Sequence, residues 1–334
     1  MTLKTCDASL GLHLLEVEIT SKCNLSCQYC YNRNQEKMDM SPGTIIDLLR
    51  FARENQVKQF VISGGEASIH PAFDFLADQI GSEKEAVEVV VQSNGAIGDK
   101  RISVLRNFDA VHLSIEPEAT GVRDNNVRRT IDLAKSLLAD HVYTYLFMTA
   151  HARNMNMIDD MVRQANEARV DLGINICVPN SCGSLKIPPA GYRPLIEKLC
   201  DLSAAKKILR FSSPFASVYK GRFSETFIGN RGGCTAGIAV CVVLPDGTVT
   251  PCPFFRVAAG NIHTETLEKI WLDSAIFKQL RNRSLFQEPC GSCKYLSYCG
   301  GCRARAYFST DSFIGRDPDC ILSGKTDSTV SNHE

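Results

Sequence analysis

Cys23, Cys27 and Cys30 stand in the stretch TSKCNLSCQYCYNR, separated by three and two residues, straight after the apolar run LLEVEIT. Three thiolates on one short loop suit a four-iron cluster that keeps one iron free of protein ligands, because such clusters ordinarily take four. A free iron can bind a small ligand. Eight more cysteines follow as Cys234-x6-Cys241-x10-Cys252, Cys290-x2-Cys293-x5-Cys299-x2-Cys302 and, after seventeen residues, Cys320. They make two sets of four. On spacing alone, structural zinc and iron–sulfur fit these sets equally well. The first loop favours iron–sulfur, because a chain loaded with one cluster receives others by the same route.

The chain has fifteen cysteines, and the four outside these groups are Cys6, Cys177, Cys182 and Cys200. No apolar segment reaches the roughly 18 residues of a membrane span, and the N-terminus has no export signal. A cytoplasmic protein is expected, so metal binding rather than a disulfide framework explains the cysteines. Lys plus Arg (37) balances Asp plus Glu (37). The sequence thus lacks the global field that gathers nucleic acid or an anionic membrane. With 334 residues, 44% of them hydrophobic, the chain can bury a large core.

The elements that must position the first loop are repeated β-α units. From 12 to 212, short apolar runs (LLEVEIT, VKQFVIS, AVEVVVQS, AVHLSI, VYTYLFM, VDLGINICV) alternate with amphipathic stretches such as 123–139 and 154–168. Continuous apolar strands of this length read as a parallel sheet of at least six strands with helices outside it. Ser41-Pro42 caps the first helix. In such sheets ligands collect at the carboxyl ends of the strands. Strand two there carries Ser63-Gly64-Gly65-Glu66, strand three Ser93-Asn94-Gly95, and strand four Ser114 and Glu116. Adjacent glycines let a backbone approach a ligand, and a carboxylate accepts from an ammonium group.

Pro, Gly and Ser loosen the pattern between 179 and 230, and residues 213–230 read as a linker. A cysteine-dense module spans 231–322, with Pro245-Asp246-Gly247 as the turn of a β-hairpin. Residues 323–334 read as a disordered tail.

The cysteine spacing with Tyr29, the Gly64-Gly65-Glu66 triplet and the cysteine-rich module together resemble the radical S-adenosylmethionine enzymes of the SPASM subgroup. The resemblance covers roughly 12–322. It implies an α/β fold, a partial (β/α)6 barrel followed by the SPASM module. The implied cofactors are S-adenosylmethionine, a [4Fe–4S] cluster with an open iron, and up to two auxiliary [4Fe–4S] clusters. It gives Glu66 with Gly64 and Gly65 to the ligand's amino group, the main chain at Tyr29 to adenine, and Ser93, Asn94 and Ser114 to ribose or methionine. Arg128, ahead of Arg123 and Arg129, is assigned to the carboxylate. Cys234, Cys252 and Cys302 fall to the first auxiliary cluster, with Cys241 as its fourth ligand unless it is a buried small side chain. Cys290, Cys293, Cys299 and Cys320 fall to the second.

Sulfatase-maturing members carry Asp where Pro253 stands here, which argues against that activity. The segments around Cys252 and Cys302 resemble mycofactocin-type peptide maturases and haem-pathway members more closely. Two substrates therefore stay open: a ribosomally made peptide, undergoing oxidative decarboxylation or cross-linking, or a small metabolite such as a tetrapyrrole, sugar or aminocyclitol. Only 22 residues precede Cys23, so a peptide would need a separate leader-recognition protein. A flavodoxin or ferredoxin is the expected reductase. Cys182 is a candidate hydrogen donor and Glu116 a candidate base. A non-catalytic zinc or iron–sulfur scaffold is the third class, and it would not need the polar strand ends.

Overall fold

A computed structural model describes residues 10–32, 35–82, 87–116, 125–178, 183–218 and 233–322. Cys6, Arg123, Cys182, most of the expected linker and the expected tail lie outside the described residues.

All six anticipated strands form. They are β1 (Leu14–Thr20), β2 (Gln59–Gly64), β3 (Glu88–Ser93), β4 (Ala110–Ser114), β5 (Tyr143–Ala150) and β6 (Asp171–Ile176), each parallel to the next. The connecting helices are α1 (Pro42–Glu54), α2 (Phe73–Ser82), the short α3 (Asp99–Ile102), α4 (Asn125–Ala139) and α5 (Ile158–Ala168), followed by α6 (Pro189–Ala204). The Ser41 hydroxyl accepts from the Thr44 N–H at 3.1 Å and caps α1, with Pro42 in the first turn, as the Ser-Pro pair predicts.

Strand alternation explains the layering. Leu15, Val17 and Ile19 enter one large core with the apolar faces of the helices. Leu14, Val61, Val90 and Ala110 form a separate small cluster on the other face. All the crossover helices pack on one side, as same-handed βαβ units require. The opposite face is left for polar side chains.

The sheet is larger than the six strands read from the sequence. Strand β7 (Arg210–Ser212) adds beyond β6, and β8 (Val240–Val243) pairs in parallel with β1, aligning Val240 with Leu14 and Cys241 with Leu15. The hairpin continues through β9 (Thr248–Thr250) to β10 (Gly260–Asn261), so ten strands run β10-β9-β8-β1-β2-β3-β4-β5-β6-β7. The second module is thus a continuation of the barrel sheet. Its turn is set by Gly247 at φ +82° and by the Asp246 side chain, which accepts from the Thr248 N–H at 2.9 Å. Helices α7 (Leu267–Asp273), α8 (Ala275–Arg281) and α9 (Arg303–Thr310) complete it.

Candidate active site

The cysteine loop leaves the end of β1 and is tied at its neck. Ser21 N–H donates to the Met38 carbonyl at 3.0 Å, Met38 N–H to Ser21 Oγ at 2.8 Å, and Thr20 Oγ1 to Asp39 at 2.6 Å. Within the loop Cys23, Cys27 and Cys30 are half-buried free thiols and feel one another electrostatically. Burial, with Glu116 nearby, pushes the Cys27 thiol up to about 11, so its deprotonation needs a compensating cation. Cys23 Sγ accepts from the Leu25 N–H at 3.4 Å and from Asn94 Nδ2 at 3.8 Å. Donors aimed at sulfur are what a cluster thiolate takes, so these residues fit an iron–sulfur group. Among the described residues, no three His, Cys, Asp or Glu side chains converge on a site for a single metal ion.

Gly64, Gly65 and Glu66 reach this loop from β2. Their glycines answer first to the protein itself: a Cβ on Gly64 would stand 2.3 Å from the Thr20 carbonyl, and one on Gly65 2.0 Å from that of Lys22. Gly65 N–H donates to Thr20 O and Glu66 N–H to Lys22 O, so the triplet is strapped to the root of the cysteine loop. The buried Glu66 carboxylate accepts from Ser93 Oγ (2.9 Å), Asn94 N–H (2.7 Å) and Ser68 N–H (3.0 Å). Asn94 also donates to Asn24 at 2.8 Å. Glu66, Ser93, Asn94 and Cys23 are therefore one connected unit. Ser114 ends β4 with its side chain exposed. Arg128 is exposed as well, whereas Arg129 reaches the loop after β3 through the Ile97 carbonyl at 3.3 Å.

A second polar group lines the sheet face away from the helices, and the sequence reading passed over it. Glu16 accepts from Ser63 Oγ at 2.7 Å, and burial raises its pKa to about 7. The wholly buried Glu18 pairs with Arg256, which lies 4.8 Å over the Tyr31 ring, and Tyr31 meets Phe254 edge-on at 5.3 Å. Phe254 and Arg256 closely follow Cys252, so this contact joins the two cysteine regions. Further along, Tyr145 takes a hydrogen bond from Arg210 and shares one with His112 at 2.8 Å. Burial, aided by Arg210, holds the His112 imidazole well below its usual range and hence neutral. The sequence signal for this wall was present: Glu16 and Glu18 alternate with apolar residues in LLEVEIT, which places both carboxylates on one face.

In the second module the sulfurs gather as two sets. Cys234, Cys252 and Cys302 interact electrostatically, and Cys299 does so with Cys290 and Cys320. Cys293 follows Cys290 by one turn, its N–H donating to the Cys290 carbonyl. Cys241, the expected fourth member of the first set, is instead fully buried in the apolar core beside Arg281, with its thiol pushed up to about 12 by burial. Pairing with Leu15 turns it to the helix-covered face, where it packs as a small hydrophobe. Asp317 locks the module: it accepts from the Cys302 N–H at 2.6 Å and from Arg305 Nε and Nη2 at 2.9 and 2.6 Å. Burial alone would raise the Asp317 carboxyl, but Arg305 outweighs it and holds it below its usual value. Cys177 is disulfide-bonded, unlike the twelve other described cysteines, against the expectation of reduced thiols throughout.

Residues 17–165 match the model of the radical SAM superfamily, and 234–302 that of the SPASM iron–sulfur cluster-binding domain. The chain is 26% identical to the AdoMet-dependent heme synthase of Methanosarcina barkeri, over 92% of this chain and 96% of that one. It is 27% identical to the mycofactocin maturase MftC of Mycobacterium ulcerans, over 91% and 86%. In fold it is similar to Streptococcus suis SuiB, solved with its precursor peptide SuiA, with TM-score 0.74, 21% identity and coverage of 93% and 76%. Those two domains imply [4Fe–4S] clusters and S-adenosylmethionine. No helix among the described residues is long and apolar enough to cross a membrane. The tied loop, the strapped glycine-glutamate triplet and the gathered C-terminal thiols are what these matches call for: the chain carries a radical SAM domain over residues 17–165 and a SPASM iron–sulfur cluster-binding domain over 234–302.

Proposed function

We propose that this enzyme oxidises a ribosomally synthesised peptide, by oxidative decarboxylation or cross-link formation, with electrons leaving through auxiliary clusters in the SPASM module. The observation that carries this is the direct contact between the two cysteine regions. Tyr31, one residue beyond Cys30, meets Phe254, two residues beyond Cys252, and Arg256 spans the same gap to Glu18. A substrate at the strand ends is then near both a radical source and an electron exit.

When bound, the first cluster and S-adenosylmethionine would supply a 5′-deoxyadenosyl radical for hydrogen abstraction. The chain's part is to hold and orient. Cys23, Cys27 and Cys30 would hold the cluster, and Glu66, presented by Gly64 and Gly65 and fixed by Ser93 and Asn94, would meet the ligand's ammonium. The main chain at Tyr29 would face adenine, and Ser114 the ribose or methionine. Arg129 is better placed than Arg128 to reach the ligand's carboxylate, because it already touches the loop after β3. Cys234, Cys252 and Cys302 would hold one auxiliary cluster, and Cys290, Cys293, Cys299 and Cys320 the other. Oxidation removes one hydrogen atom and then one electron from the substrate. In the decarboxylating case carbon dioxide leaves and a carbon–carbon double bond forms. The proposed partners are a leader-recognition protein and a flavodoxin or ferredoxin.

Near-complete mutual coverage with the heme synthase favours a second reading, oxidation of a small carboxylated metabolite. The test is co-expression with short peptides encoded beside the gene, followed by mass spectrometry. Loss of carbon dioxide and two hydrogens, or of two hydrogens alone, supports the peptide reading. Unchanged peptides, alongside 5′-deoxyadenosine formation driven by a tetrapyrrole, would replace it with the second.

A further inference from the structure

Ser114, Phe147, Gly173 and Arg210 stand in one row across the sheet, each aligned with the next on β4, β5, β6 and β7. Their chain neighbours Leu113, Leu146, Leu172 and Phe211 enter the helix-covered core, so the row lies on the opposite, polar face. It is also accessible, since Ser114 is exposed and Phe147 and Arg210 are partly so. Gly173 leaves a gap in the row, because a Cβ there would stand 2.9 Å from the Phe147 ring. Across that gap the Arg210 guanidinium lies over the Tyr145 and Phe147 rings, 5.2 and 5.6 Å from their centroids.

Arg210 is held in place without being neutralised. It donates to the Tyr145 oxygen, and because a guanidinium accepts nothing, the tyrosine's own proton goes to His112 Nδ1 at 2.8 Å. Among the described residues no carboxylate pairs with the rest of its donor fork. The acids of the same face are engaged elsewhere: Glu18 with Arg256, Glu16 with Ser63, Glu88 with Gln59 at 2.7 Å and Asp171 with Tyr143 at 3.1 Å. A fixed, accessible cation of this shape suits an anion, and a planar guanidinium meets a carboxylate through two parallel hydrogen bonds.

We propose that Arg210 is a specificity-determining residue that binds a carboxylate of the substrate and holds it at the level of Ser114 in the sheet. This rests on the proposed function, in which Ser114 faces S-adenosylmethionine. A peptide C-terminus and a carboxylated metabolite both present this group, and the partly exposed Phe147 ring beside Arg210 gives either an apolar seat.

The experiment is a saturation-transfer NMR titration of the reconstituted holoenzyme with S-adenosylmethionine bound. One pair of probes, N-acetylphenylalanine and its amide, imitates a peptide end, and another, 3-phenylpropionate and its amide, imitates a metabolite side chain. At least one acid should bind about tenfold more tightly than its amide, and the tighter acid names the source. Arg210→Gln should lose that preference, whereas Arg210→Lys should keep part of it, because the charge stays and the fork goes. A purely structural contact of Arg210 with the two rings would leave the preference untouched. Equal affinity of acid and amide in both pairs, or no binding of either acid, overturns the proposal on the wild type alone, and an undiminished preference in Arg210→Gln overturns it too. A wild type that keeps the preference yet forms no 5′-deoxyadenosine with dithionite would defeat the proposed function while carboxylate binding at Arg210 stands.

Discussion

Cys23, Cys27 and Cys30 come from a single loop, whereas Cys234, Cys252 and Cys302 are collected from the approach to a hairpin, its far end and the start of α9. Their surroundings differ in the same sense. Around Cys23 to Cys30 the neck is tied and the thiols are half-buried, with the Leu25 N–H and the Asn94 side-chain amide as donors to Cys23. Around Cys302 a buried Arg305–Asp317 pair, 3% and 0% exposed, fastens the ligand segment directly. Arg305 also lies 4.9 Å over the Tyr192 ring on α6, so the same cation pins the module to the barrel. The first loop is thus fastened at its root, whereas the Cys302 segment is fastened at the cysteine itself.

Four changes break or sharpen that contrast. Cys27→Ala should abolish 5′-deoxyadenosine formation with dithionite while leaving the auxiliary EPR signals, because the first loop shares no ligand with the second module. Loss of every signal together would mean that the regions assemble as one. Arg305→Met should cost about 3–5 kcal/mol by leaving the Asp317 carboxylate buried and unpaired, read as a lower melting temperature and a loss of auxiliary iron. Retention of both would show that Asp317 alone holds Cys302.

Glu16 gives the pH test. Its carboxyl is raised from 4.5 to about 7 in the folded chain, chiefly by burial. Below pH 4.5 both folded and unfolded forms keep the proton, and this group does not oppose folding. Between 4.5 and about 7 only the unfolded form releases it, so stability falls as pH rises, by up to about 3 kcal/mol in all. Glu16→Gln should therefore stabilise the enzyme more at pH 8 than at pH 5 in denaturant melts, and an equal effect at both would refute the assignment. The smallest effect is expected at Cys241. A Cys241→Val enzyme should keep its full auxiliary spectrum and lose no more than about 1 kcal/mol. A lost or altered cluster signal would restore Cys241 as a ligand.

The sequence disclosed the six parallel strands, the helices between them and the hairpin turn, because buried strands, caps and turn residues leave local signatures. It also disclosed both cysteine groups and Gly64-Gly65-Glu66. It did not disclose what the triplet glycines press against, since the close approach of Gly65 to Lys22 is a contact between distant segments. The face occupied by Cys241 was hidden for the same reason: it follows from the register of β8 on β1 and not from AVCVVL itself. Arg256 illustrates the other limit. A lone arginine after CPFF has no local pattern, and its meaning comes entirely from the buried carboxylate of Glu18 that it meets.

The continuity of the sheet across β8 and β1 has one more consequence, for what can be cut. Strand β1 is central, hydrogen-bonded on both sides, and it delivers the chain to the radical-generating loop. A fragment ending after residue 218 would strip off its β8 neighbour and turn β1 into a bare edge of the sheet, apolar on the face that packs against the helices. Open edges of that kind recruit strands from other chains. The SPASM domain would then be as much a guard against self-association as a binder of iron–sulfur clusters.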